Sequence, residues 1–104
     1  MAKLSLIASP TFSADVPIPV AGGDPVLVKI EFRHRTKAAL KEWVESNSTR
    51  SDLDGFLDMV VGWPGLEDEF NRANVEVLLE NYGGASLAVF KVYLDQLIQG
   101  RLGN

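Results

Sequence analysis

Two breaks, Pro64-Gly65 and Gly83-Gly84, divide the second half of this chain into short pieces and limit how it can fold. Proline and glycine both disfavour a helix interior, so Trp63-Pro64-Gly65 is expected to turn. A residue before proline avoids helical backbone, which takes Trp63 out of the preceding helix. Beyond the bend, Asn71 can cap a helix by accepting from free amides of its first turn. Val75, Leu78, Leu79 and Tyr82 then follow the i, i+3, i+4, i+7 spacing of one helical face. The glycine pair ends that helix. Glu67, Asp68 and Glu69 precede it, where negative charge suits the N-terminal end of the helix dipole. The next helix runs over residues 85–99. Its apolar stripe of Leu87, Phe90, Leu94, Leu97 and Ile98, with Tyr93 at the edge, is expected to face inward. Ala85, Ala88 and Val92 are expected to form a small, smooth outer face beside Lys91, Asp95 and Gln96.

The first half alternates instead. Phe12, Ala14, Val16 and Ile18 are separated by polar residues and prolines, as in a half-buried strand. Pro17 and Pro19 lack amide donors, so that strand should sit at an edge or end early. Residues 21–25, Ala-Gly-Gly-Asp-Pro, turn the chain, and Val26, Val28, Ile30 and Phe32 alternate again. The two strands pair as an antiparallel hairpin burying Phe12, Val16, Ile18, Val28, Ile30 and Phe32. Residues 3–8 are short and apolar, an edge strand or a docking arm. Thr36 caps a helix of about ten residues with Leu40, Trp43 and Val44 inward. Ser51 caps the next, whose stripe is Leu53, Phe56, Leu57, Val60 and Val61, and Gly62 ends it. The expected fold class is α+β: one domain over 1–104, with a β-hairpin region at 1–33 and about four helices over 36–99.

Little in the chain suggests reaction chemistry. His34 is the one histidine and lies between two arginines, with no nucleophile or carboxylate partner signalled. There is no cysteine, so neither a disulfide framework nor thiol chemistry. Asp52-x-Asp54-Gly55 lacks the ligand spacing of a calcium loop, and the helical apolar period runs straight across it. Neither glycine pair has the spacing of a phosphate-binding loop. No catalytic, cofactor or metal residue is therefore assigned. The net charge of −4 weighs against a general nucleic-acid or anionic-membrane binder. The alternative is a small nucleic-acid accessory protein using the local patch Lys29, Arg33, Arg35, Lys37 and Lys41, although no aromatics interleave it. No apolar run reaches the ~20 residues of a membrane span, and the N-terminus lacks the pattern of a signal peptide.

The order of these features resembles a family. A tryptophan, a short acidic linker with a leucine, Phe-Asn, then Val-x-x-Leu-Leu-x-x-Tyr-x-x-Ala and a tyrosine-bearing last helix are similar to tail assembly chaperones of long-tailed bacteriophages or prophages. The N-terminal Lys-Leu-Ser-Leu-Ile-Ala-Ser-Pro-Thr-Phe, the Val-Ala-Gly-Gly segment and Phe-Arg-His-Arg-Thr extend the likeness to nearly the whole chain. Pro64-Gly65 departs from it, since a more helical or acidic linker is expected there. The resemblance implies a non-catalytic protein that binds the long, helical tape measure protein while tail tube protein assembles around it. It also implies self-association, and a role in the host cytoplasm rather than in the mature virion. On this reading the partner contacts are Trp63, Leu66, Phe70, Ala85, Ala88 and Val92. Trp63 and Phe70 serve equally well as a local staple of the bend.

Overall fold

A computed structural model describes residues 4–99. Strands β1 (Thr11–Ile18) and β2 (Val26–Arg33) form the expected antiparallel hairpin, in register from Thr11 opposite Arg33 to Ile18 opposite Val26. Gly22 takes the left-handed backbone of its turn, with φ of 77°. Ala14, Val16, Ile18, Val28, Ile30 and Phe32 are buried on one face, as side-chain alternation dictates. Phe12 is half-buried, and its ring stacks on Phe32.

Helix α1 (Lys37–Glu45) is capped by Thr36, whose hydroxyl accepts from the Ala39 amide. Leu40 and Trp43 are buried, while Val44 remains exposed. A 3₁₀ turn at Asn47–Thr49 leads to α2 (Asp52–Met59), capped by Ser51 through the Asp54 amide. Here the structure corrects an expectation. The helix ends at Met59, before Gly62, and Val60–Gly62 forms β3, antiparallel to β2. The free edge of β2 offers a hydrogen-bonding ladder, and β-branched Val60 and Val61 suit it better than a last helical turn. The sheet order is β1-β2-β3, so β1 is an edge strand, as its prolines require.

The extra strand expected at residues 3–8 does not form where the structure describes that segment. Leu4, Leu6 and Ile7 are almost fully exposed. Pro10, at the junction with β1, has no amide to donate, and its carbonyl is taken by the His34 N–H. The segment is an arm rather than a strand.

Asn71 caps α3 (Arg72–Asn81) through the Asn74 amide. The last helix is α4 (Ala85–Ile98). Its inward face is only partly the expected one: Ala85, Val89, Val92 and Tyr93 are buried, Phe90, Leu94 and Leu97 of the expected stripe pack half-buried against the core, and Leu87 and Ile98 are exposed. The chain entering α4 lies close on the chain leaving β1. A Cβ added at Gly84 would stand 2.9 Å from Pro19 Cγ. With that face inward, Tyr93 reaches the centre of the core, stacked on Phe32 with Trp43 edge-on.

Candidate functional site

The residues able to do chemistry are mostly occupied in holding the fold. The Tyr93 hydroxyl donates to the Arg33 carbonyl and accepts from Arg35 Nη1, both at 2.8 Å. The same Nη1 donates to the Asp58 carbonyl at 2.9 Å. Asp58 Oδ2 accepts from Trp43 Nε1 at 3.0 Å and pairs with Arg50 Nε at 3.3 Å. The guanidinium groups of Arg35 and Arg50 both lie within 5 Å of the Trp43 ring centroid, at 4.9 and 4.8 Å. This network ties α1, α2 and α4 to the end of β2, with no nucleophile–base pair in it. Among the described residues, no group of three or more His, Cys, Asp or Glu side chains is placed to hold a metal ion. No described helix is long and apolar enough to cross a membrane.

Burial pushes the Tyr93 hydroxyl above its ordinary pKa of 10.0, against the opposing pull of the Arg35 hydrogen bond and charge. A raised pKa means that the folded state keeps its proton longer than the unfolded chain. The associated stability is intact below pH 10 and is lost as pH rises from there through the folded value. Denaturant midpoints measured from pH 8 upward should therefore fall above pH 10, and Tyr93→Phe should remove part of that slope.

The anticipated basic patch is divided. Arg35 turns inward to Tyr93 and Asp58. Lys29 lies in β2 opposite Asp15. Lys37 and Lys41 share one face of α1 with Leu40 and Val44, beside His34.

The anticipated contact residues are divided too. Trp63 is buried, not exposed at the bend: its indole N–H donates to the Asp68 carbonyl at 2.7 Å, and its ring meets Phe70 edge-on at 5.1 Å. This is the local staple. Ala85 and Val92 are buried rather than exposed on an outer face, although Val92, with Ala88, still lines a groove beside α4. Leu66, Phe70 and Ala88 are half-buried. The acidic run also holds the bend through its backbone, with the Asp68 and Glu69 carbonyls accepting from Trp63 and Asn74.

The two largest of the shallow grooves at the surface flank α4. One, of about 560 Å³, lies against β1; Pro17, Pro19, Leu27, Leu87 and Ala88 line it, with Asp15, Lys91 and Asp95 also in its wall. The other, of about 660 Å³, lies between α1 and the C-terminal end of α4, over Leu40, Val44, Leu94, Leu97 and Ile98. Exposed Leu27 and Leu87 face the first, and exposed Val44 and Ile98 face the second. The signal for these grooves was present in the sequence as a last helix apolar on nearly every side; the preference for one inward stripe hid it.

No curated protein and no solved structure matches the chain. A family model described as phage tail assembly chaperone matches residues 1–104, the full length of the chain. With a hairpin-and-helix fold, no assembled reaction centre among the described residues, and apolar grooves on the outside, the chain belongs to the phage tail assembly chaperone family.

Proposed function

We propose that this protein is a non-catalytic chaperone that binds the tape measure protein of its phage or prophage and supports assembly of the tail tube around it. It does so in the host cytoplasm, self-associates, and is left behind by the finished virion. One observation carries the reading: exposed Leu27 and Leu87 converge on one concave groove beside α4, and exposed Val44 and Ile98 converge on another. Scattered exposed leucines are ordinary, whereas apolar side chains converging on grooves mark a binding surface. A long helical protein without its tube exposes amphipathic faces that aggregate, and grooves of this kind can cover them. Half-buried Leu66, Phe70 and Ala88 remain candidate contacts, as does Val92 in the wall of the groove beside β1, while Leu87 and Ile98 join them in place of buried Ala85.

Co-expression with segments of the tape measure protein should raise their soluble fraction several-fold and recover them with the tagged chaperone. Leu87→Asp with Ile98→Asp should abolish that gain while leaving the circular dichroism spectrum unchanged, since both side chains are exposed. No gain in solubility and no co-purification with any segment would overturn the reading.

A further inference from the structure

We infer that the groove between α1 and α4 takes an acidic amphipathic helix, held by apolar contact along its floor and by Lys37 and Lys41 along its rim. The inference rests on the proposed chaperone role and narrows the chemistry of the partner. The floor is apolar, with Leu40, Val44, Leu97 and Ile98 among its residues. The rim carries Lys37, Lys41 and the inward-turned Arg35, and no carboxylate lines the groove. That polarity stands against the net charge of −4 of the whole chain.

The two lysines lie four residues apart on the face of α1 that presents Leu40 and Val44. Neither forms an ion pair among the described residues, so their charge is available to an incoming segment. Positive charge bordering a groove with a low-dielectric floor attracts carboxylates and repels cations. An apolar trough between two helices suits a third helix that lays its own apolar stripe into it. The groove on the other side of α4 differs: Asp15, Lys91 and Asp95 mix the signs there and select for neither.

The arm of a second copy is a competing occupant. Leu4, Leu6 and Ile7 are exposed, and the arm joins β1 at Pro10, beside His34 on the groove rim. The charged residue preceding it, Lys3, has the sign of the rim, which disfavours that docking.

The test uses the whole protein and two labelled helical peptides with the same leucine stripe, one with glutamates and one with lysines on the remaining positions. Fluorescence anisotropy at low salt should show the glutamate peptide binding at least tenfold more tightly than the lysine peptide. Raising the salt to 0.5 M should weaken the glutamate peptide several-fold. Lys37→Glu with Lys41→Glu should reverse the preference, and Leu97→Asp should weaken both peptides. Equal binding of the two peptides, binding of neither, or a preference unchanged by the lysine reversals would overturn the proposal. If Leu4→Asp with Leu6→Asp opens the groove to peptide that was excluded before, the arm is its occupant and the proposal fails. The two readings separate on tape measure segments. Capture that survives the lysine reversals leaves the chaperone role standing and removes this groove. Selective binding of the glutamate peptide without capture of any segment does the opposite.

Discussion

Replacing Tyr93 with alanine should lower the stability of this protein by about 4 kcal/mol, the cost of truncating a large aromatic in a packed core. Tyr93 is fully buried. Its ring stacks on Phe12 and Phe32 at centroid distances of 6.2 and 5.5 Å and meets Trp43 edge-on at 5.8 Å. Alanine leaves a cavity between sheet and helices. It also removes both hydrogen bonds that join α4 to Arg33 and Arg35. For a domain whose total stability is about 5–15 kcal/mol, that loss takes a large share. Tyr93→Phe separates the two contributions. The ring stays, the Arg33 carbonyl loses its tyrosine donor, and Arg35 keeps its bond to Asp58. It should cost about 1–3 kcal/mol. Urea or guanidinium unfolding followed by circular dichroism measures both. A Tyr93→Ala variant within 1 kcal/mol of the parent would mean that α4 does not pack on this face.

The second large effect is expected at Gly65, in the bend between β3 and α3. Its backbone conformation is open to any residue, since the one positive φ recorded is at Gly22. Space is what requires glycine. A Cβ at Gly65 would stand 2.6 Å from the Lys29 amide nitrogen, 3.1 Å from its carbonyl oxygen and 3.2 Å from Val28 Cγ1. The Gly65 amide donates to that same carbonyl at 3.1 Å, so the bend is docked on the backbone of β2. Backbone cannot swing aside as a lysine tip can. Gly65→Ala should therefore cost about 2–3 kcal/mol, in the range of overpacking a filled site. Gly83→Ala supplies the control: nothing stands within 4 Å of its added Cβ, and its unfolding midpoint should barely move. Because Leu66 follows directly, the Gly65 variant should also weaken any partner contact made there. Equal midpoints for Gly65→Ala and Gly83→Ala would show that the bend is not seated on β2.

Much of the fold was legible because its signals are local. Thr36, Ser51 and Asn71 cap helices as their side-chain chemistry requires, and each accepts from the amide three residues on. The alternation from Phe12 to Phe32 set both the hairpin and its buried face. The bend at Trp63-Pro64-Gly65 was legible as a bend, although its docking on β2 was not. The binding surface was the hard part, because it depended on which way helices face. Trp63 next to an exposed turn looked available, yet a single hydrogen bond to Asp68 and the edge of Phe70 draw it inside.

By itself, then, the sequence determined where the capped helices start and where the hairpin strands run, since caps, prolines, glycines and side-chain alternation act within a few residues of themselves. Tertiary structure decided the facing of α4 and the conversion of Val60–Gly62 from helix to strand. Residues 85, 89, 92 and 93 form one apolar stripe on α4, and 87, 90, 94, 97 and 98 form another. Period alone cannot rank two stripes on one helix. The choice follows from the close approach of Gly84, before the helix, to Pro19, after β1, and from the orientation that carries the Tyr93 hydroxyl to Arg33. It leaves part of the larger stripe, from Leu87 to Ile98, at the surface beside the grooves.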